Sequence, residues 1–376
     1  MDTTQHYDLA VVGAGILGLA HAYAAHQRGL RVVVLDRDHH LVGASVRNFG
    51  HASITAQEGE LLELGRAGRA RWLEVAGATG IYAAAAGTLV VARTAAERAL
   101  VEELHAARGD DEVELLDPAA MAARLAHEEG APGASHGGAF LPADLRVDPR
   151  EAAPAIARWL EGQGVEFRWA TSVLGLGDGV VRTTRGDLRA DRTVVCVGHD
   201  IDYLLPDVAA EGAVERCTLA VVTVDAPRGF AAQAGILTST SMTRYDAFTS
   251  QPSAAAVRTE VEGRAPELLE IGANVMMTWR PDGSLVVGDT HEYGPSADPF
   301  VSERAIALVL EEAAAVLGVD ALRVRDRWQG VYASSPRQPV LVRTPMPDVT
   351  VVSVTTGVGM TTSFGLGERT VAAWGA

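Results

Sequence analysis

Apolar and polar positions follow two different rhythms along this chain. Leu9-Ala10-Val11-Val12 is an unbroken apolar run, the pattern of a parallel strand buried on both faces. The turn Gly13-Ala14-Gly15-Ile16-Leu17-Gly18 follows, then a helical stretch Leu17–Arg28 that ends at Gly29. A second apolar strand, Arg31-Val32-Val33-Val34-Leu35, closes with Asp36. Helical periodicity returns over Glu58–Ala76 and Ala95–Ala107, with a strand at Gly87–Val91 between them. Asp117-Pro118 and Asp148-Pro149 each open a helix, because Asp caps well and Pro suits the first helical position. The second of these helices runs to Glu161. Strands are expected at Val165–Phe167, Gly179–Thr184 and Arg192–Val197.

The middle of the chain changes character. Cys217–Val224, Asn274–Trp279 and Gly283–Gly288 predict an antiparallel sheet, with a turn at Asp282-Gly283. Ser239–Ala265 is polar without a clear period, so a mobile lid or entrance is expected there. Ser302–Leu317 is an amphipathic helix. The first pattern then returns: a strand Val349–Val354, a glycine-rich turn Thr356-Gly357-Val358-Gly359-Met360-Thr361-Thr362, and a helix to Trp374. The expected fold is α/β, with a Rossmann-like nucleotide domain interleaved with a substrate domain on a mostly antiparallel sheet. Residues 1–80, 145–215 and 326–376 are assigned to the first, and 81–144 and 216–325 to the second.

The first turn carries chemistry. Gly13 permits the tight bend, Gly15 leaves room for a pyrophosphate, and Gly18 lets the helix close on the strand. The N–H groups at the helix start favour phosphate charge. Asp36 sits where an acid binds ribose hydroxyls. Gly43–His51 is too polar and glycine-rich for a helix and is expected to cross the cofactor as an extended loop. A plain nicotinamide domain has no reason to end in a second glycine-rich helix start, which favours FAD.

Composition narrows the field. All 32 basic residues are arginine, which excludes Schiff-base, pyridoxal-phosphate and P-loop lysines. A net charge of −16 argues against nucleic acid and anionic membranes as partners. No apolar run is long enough for a membrane span. The chain enters its first strand almost at once, so no signal peptide and a cytoplasmic location are expected. Cys196 and Cys217 have no metal-ligand spacing and cannot form a disulfide framework, so no metal is expected.

Taken in order, Val12–Ala20, Asp36, Ala44–Gly50, Asp144–Pro149, Thr193–Gly198, Trp328–Pro339 and Thr356–Gly365 resemble the D-amino-acid oxidase, glycine oxidase and sarcosine oxidase family of FAD enzymes. Ala44–Gly50 together with Trp328–Tyr332 is most similar to a subgroup found beside phosphonate-degradation genes. The resemblance implies FAD held by Gly13, Gly15, Gly18, Asp36, Arg37, Ser45, Asn48, Gly50, Val173, Gly198, Gly330, Gly357, Gly359, Met360 and Thr361. It implies hydride transfer from a small amine to flavin N5, hydrolysis of the resulting imine, and reduction of oxygen to hydrogen peroxide. A dehydrogenase with another electron acceptor and a flavin-binding subunit of a larger complex stay open, as do monomer and homo-oligomer.

Two departures bear on the substrate. Where sarcosine oxidase has the cysteine that bonds its flavin, this chain has Gly330, so non-covalent FAD is expected. The family's carboxylate-binding cations, a lysine at the position of Thr361 or an arginine at that of Tyr332, are both missing. Arg47, Arg244 and Arg337 are the candidate replacements, because arginine binds a carboxylate or phosphonate with two parallel hydrogen bonds. Tyr245 adjoins Arg244, and Tyr332 is expected to line the pocket. His51 and His291 are candidates to tune the amine or the oxygen reaction, since histidine titrates near neutrality.

Overall fold

The computed structural model describes residues 5–375. The strand His6–Val12 pairs in parallel with Val32–Leu35 on one side and Leu188–Val195 on the other. Glu166–Arg168 extends the sheet beyond Val32–Leu35, and Val349–Val354 joins the far end of Leu188–Val195, both in parallel. Every residue of Val32–Leu35 is buried, as a strand covered on both faces requires. Val340–Met346 and the hairpin Val173–Gly177/Val180–Thr183 are antiparallel additions. Val12, Leu35, Cys196 and Val354, at or just past the carboxyl ends of the parallel strands, all open on one cavity, the usual ligand position in such sheets.

Three helices cover one face: Ile16–His26, Gly59–Thr79 and Gly359–Ala372. Their packing fixes where the last one begins. The Trp72 ring meets Phe364 edge to face at 4.9 Å, and its Nε1–H donates to the Met360 carbonyl at 2.7 Å. An edge-to-face pair of this kind adds about 0.5–1.5 kcal/mol beyond area burial.

The second sheet runs through Glu292–Gly294, Glu215–Asp225, Ser284–Gly288, Met276–Trp279, Gly235–Leu237, Thr88–Val91, Gly138–Leu141 and Glu114–Leu116. It is antiparallel except where Gly235–Leu237 meets Thr88–Val91. The helix Glu303–Leu317 packs on it, capped by Ser302 Oγ accepting from the Ala305 N–H. Val324–Ser334 pairs with Glu215–Asp225 along most of its length. The expected boundary at residue 326 therefore falls inside a strand of this sheet, and the chain rejoins the parallel sheet at Val340. A three-stranded sheet of His51–Ala52, Leu145–Val147 and Ala83–Ala84 lies between the two.

Ser239–Ala265 is not the irregular lid its polarity suggested. It folds as the helices Ser239–Met242, Asp246–Thr249 and Ala254–Arg264, and the first is buried throughout. Its hydroxyls bond inward rather than to water: Thr238 Oγ1 donates to the Val275 carbonyl and Ser241 Oγ to Asn274 Oδ1, both at 2.7 Å. Thr240 Oγ1 accepts from the Val275 N–H. Polar residues that satisfy one another in this way are as buried as apolar ones.

Candidate functional site

One cavity of 930 Å³ runs from the first glycine turn to the antiparallel sheet. At its nucleotide end the wall is mostly backbone. Gly13 has φ +101°, and a Cβ there would stand 2.5 Å from the Cys196 carbonyl oxygen. A Cβ on Gly18 would overlap the Gly13 carbonyl oxygen at 1.9 Å. Gly15 opens the helix, where any Cβ would come to 3.1 Å from Ser45 Oγ. Ser45 Oγ also accepts from the Ile16 N–H. The Asp36 carboxylate accepts from the Ala14 and Asp38 N–H groups, which fix its direction. Burial raises its pKa, and those two hydrogen bonds act in the opposite sense. Arg37 pairs with Asp200 at 2.7 Å on the rim. Val173 and Gly198 complete this end.

The loop after the second strand crosses the middle of the cavity, with a short 3₁₀ turn at Ala44–Val46. Asn48 holds its shape: the side-chain amide donates to the Ala44 and Ser45 carbonyls, and Oδ1 accepts from the Gly50 N–H. Gly50, expected against the cofactor, is not on the cavity wall. Its φ of +64° turns the chain onto Val147, whose carbonyl oxygen would lie 1.9 Å from a Cβ. Beneath it Arg146 is fully buried and donates to the carbonyls of Phe49, Gly50 and Trp279. On the opposite wall stand Gly330, Gly357, Gly359, Met360 and Thr361. Thr361 Oγ1 accepts from the Ser53 N–H, tying the last helix to the loop.

The far end is made of side chains. Arg244, Tyr245, Asn274, Asp289, His291, Tyr293 and Tyr332 converge there. Arg244 donates to the Tyr293 hydroxyl at 3.0 Å and to the Gly272 carbonyl at 3.4 Å. Among the described residues no carboxylate lies within ion-pair distance of it. His291 Nδ1 sits 2.9 Å from the Gly272 carbonyl, which can only accept, so Nδ1 carries the ring proton. Burial, assisted by Arg244, pushes its pKa down to about 3 and keeps the ring neutral. Tyr332 lies across the strand pair from Cys217, with its ring 6.3 Å from that of His291 and against the Gly357 turn. It therefore stands between the two ends of the cavity. The Tyr245 hydroxyl faces Met276 Sδ.

The remaining candidates separate. Arg47 lines the cavity, with Nη1 on the Gln329 carbonyl. Arg337 does not line it. Its guanidinium donates to the Glu211 carbonyl on the outside, so the chain turns this arginine away just after Pro336. His51 is buried, with Nε2 at 2.6 Å from Thr88 Oγ1 and 3.4 Å from Asp144 Oδ2, joining the loop to the second sheet. Asp289, Asn274 and Tyr293 were not anticipated. Asp289 follows Gly288 at a strand end, where an acid suggests a turn; its only signal was its place two positions after the apolar Leu285–Val287 run.

A parallel sheet with a glycine cradle at its carboxyl edge, opening into a chamber under a second sheet, defines a dinucleotide-dependent enzyme with a separate substrate compartment. The cradle suits FAD: Gly15 leaves the helix start open towards the cavity, Gly13 lets the turn pack on Cys196, and the cavity continues past the second glycine turn. Gly18, expected against the cofactor, lies off the cavity wall and instead lets the helix close on the Gly13 carbonyl. Residues 8–373 match the DAO family, FAD dependent oxidoreductase. The chain belongs to this family and is an FAD-dependent oxidoreductase. Its fold is similar to that of glycine oxidase from Geobacillus kaustophilus, at 22% identity and TM-score 0.76, covering 98% of this chain and 94% of that one. It is also similar to iminodiacetate oxidase from Chelativorans sp. BNC1, at 19% and 0.73, covering 97% and 95%. The FAD-bound L-alpha-glycerophosphate oxidase from Mycoplasma pneumoniae matches at 17% and 0.74, covering 98% and 95%. No curated protein matches the chain in sequence. No helix among the described residues is long and apolar enough to cross a membrane.

Proposed function

We propose that this enzyme oxidises a small amine that carries its own anionic group, with aminophosphonates the preferred class. The observation that carries this reading is the Arg244 guanidinium, which faces the cavity with no carboxylate partner among the described residues. Two named relatives, glycine oxidase and iminodiacetate oxidase, point to amino-acid-like amines. Bound non-covalently, FAD would supply the oxidant, taking a hydride from the carbon next to the amine nitrogen and passing the electrons to oxygen.

The chain's residues do the rest. Arg244 pins the anion with two parallel hydrogen bonds, so the far end of the substrate cannot swing. Tyr332 and the Gly357 turn set how closely the amine end approaches the cofactor side. The neutral His291 leaves Nε2 as an acceptor only, which suits an amine N–H. The Gly357–Thr361 helix start offers N–H groups where negative charge collects on reduction.

The test is anaerobic flavin reduction of the purified holoenzyme with glycine, sarcosine, D-alanine, 2-aminoethylphosphonate and its N-methyl form, followed by admission of oxygen and a peroxide assay. An aminophosphonate is expected to reduce the flavin fastest, and peroxide to appear as the flavin re-oxidises. Equal reduction by an uncharged-tail amine such as N-methylpropylamine would overturn the reading.

A further inference from the structure

Beyond Arg244, the chamber holds a second ionisable group, Asp289, with one carboxylate oxygen left over. Asp289 is 4% exposed, lines the cavity, and its Oδ1 has no hydrogen-bond partner among the described residues. Burying a carboxylate oxygen without a partner costs free energy, so such an atom points to a ligand. The backbone around it is firm: the Asp289 N–H donates to the Asn274 carbonyl, and the Asn274 N–H to the Asp289 carbonyl, each at 2.8 Å. The groups facing Asp289 come from five segments of the chain. They are Arg244 and Tyr245, Asn274, His291 on its own segment, and Cys217 with Tyr332 on the paired strands. Arg244 is the one cation among them, and it does not close on the carboxylate.

We propose that Asp289 and Arg244 are the two poles of a zwitterion site, Arg244 taking the substrate's anion and Asp289 its ammonium, and that Asp289 removes the ammonium proton. The proposal rests on the amine-oxidation reading and deepens it. In the proton step a substrate N–H bond breaks and an O–H bond forms on Asp289, leaving a neutral amine and a neutral carboxylic acid. Its proton then leaves to water. Burial raises the carboxyl pKa to about 7, with Arg244 and Asn274 opposing the rise, so the group can take a proton and return it near neutrality. The half-buried Arg244 and the buried Asp289 do not close on each other, so a zwitterion of matching length can pair with both.

The test is a binding titration of the holoenzyme, read as the change in flavin absorbance, with 2-aminoethylphosphonate as the zwitterion and methylphosphonate as the anion alone. Arg244→Met should weaken both by at least about tenfold, roughly 1.4 kcal/mol. Asp289→Asn should weaken 2-aminoethylphosphonate by a similar factor, yet leave methylphosphonate unchanged or tighter, because a competing negative charge has gone. Asp289→Ser, which also removes the charge, should repeat that pattern. If both ligands bind more tightly to the Asn and Ser variants, Asp289 is only a counter-ion for Arg244 and the proposal falls. It also falls if neither ligand responds. A wild type that binds the zwitterion but is reduced by no amine would instead remove the amine-oxidation reading and leave the two-pole site standing.

Discussion

The two ends of the cavity are built from opposite materials. The nucleotide end is backbone: glycines, helix-start N–H groups, and one carboxylate fixed by two N–H donors. The substrate end is side chains: an arginine and an aspartate oxygen that have, among the described residues, no carboxylate and no hydrogen-bond partner respectively, a neutral histidine and three tyrosines. Backbone recognises what every FAD shares and tolerates almost no substitution. Side chains recognise what differs between substrates.

Substitutions at the nucleotide end should therefore act on flavin content, and those at the substrate end on substrate alone. The largest effect is expected from Gly15→Val. Its Cβ would lie 3.1 Å from Ser45 Oγ, and its methyl groups would fill the phosphate position. The protein should purify without flavin; full flavin absorbance per chain would remove the cradle from the account. Asp36→Ala comes next. Loss of hydrogen bonds to a charged group should weaken FAD by about 1.5–3 kcal/mol, measured by titrating FAD into the apoprotein, with substrate affinity of the reloaded enzyme unchanged.

Arg244→Met should raise the half-saturating substrate concentration about tenfold, or 1.4 kcal/mol, with flavin content intact. Arg337→Met should change it less than about twofold, because that guanidinium is held outside on the Glu211 carbonyl. A tenfold effect from Arg337 would mean the wrong arginine has been placed at the anion. A further outcome concerns stability rather than ligand. Asp289 keeps its proton up to about pH 7 in the folded chain, whereas in the unfolded chain it loses it in the ordinary carboxylate range. The folded state therefore binds the extra proton between those limits. This group's contribution to stability is greatest in acid and falls as pH rises towards 7. In urea titrations across that window, Asp289→Asn should lose this downward slope; an unchanged slope would contradict the raised pKa.

What was legible in the sequence divides along the same line. The spacing of Gly13, Gly15, Gly18 and Asp36 was readable because a tight strand-turn-helix unit needs particular residues at particular positions; Gly13, Gly15 and Asp36 reach the cavity wall, while Gly18 serves the packing of helix on turn. The helices opened by Asp117-Pro118 and Asp148-Pro149 appear as expected, with each Asp accepting from a helix N–H. The same local chemistry could not separate Arg244 from Arg337, since nothing beside either residue says which way the chain turns. Asp289 was missed because its meaning comes from Arg244, forty-five positions earlier, and from the pairing of Met276–Trp279 with Ser284–Gly288. Ser239–Met242 misled for a related reason: its hydroxyls are polar in sequence but are satisfied by Asn274 and Val275.

The central claim is that Arg244 selects an anionic amine. It is tested most directly by the ratio of anaerobic flavin-reduction efficiencies for 2-aminoethylphosphonate and N-methylpropylamine, in the wild type and in Arg244→Met. The account predicts a ratio well above one in the wild type that falls by about tenfold in the variant, through loss of the phosphonate substrate alone. A wild-type ratio near one, or a ratio that Arg244→Met leaves unchanged, would contradict it.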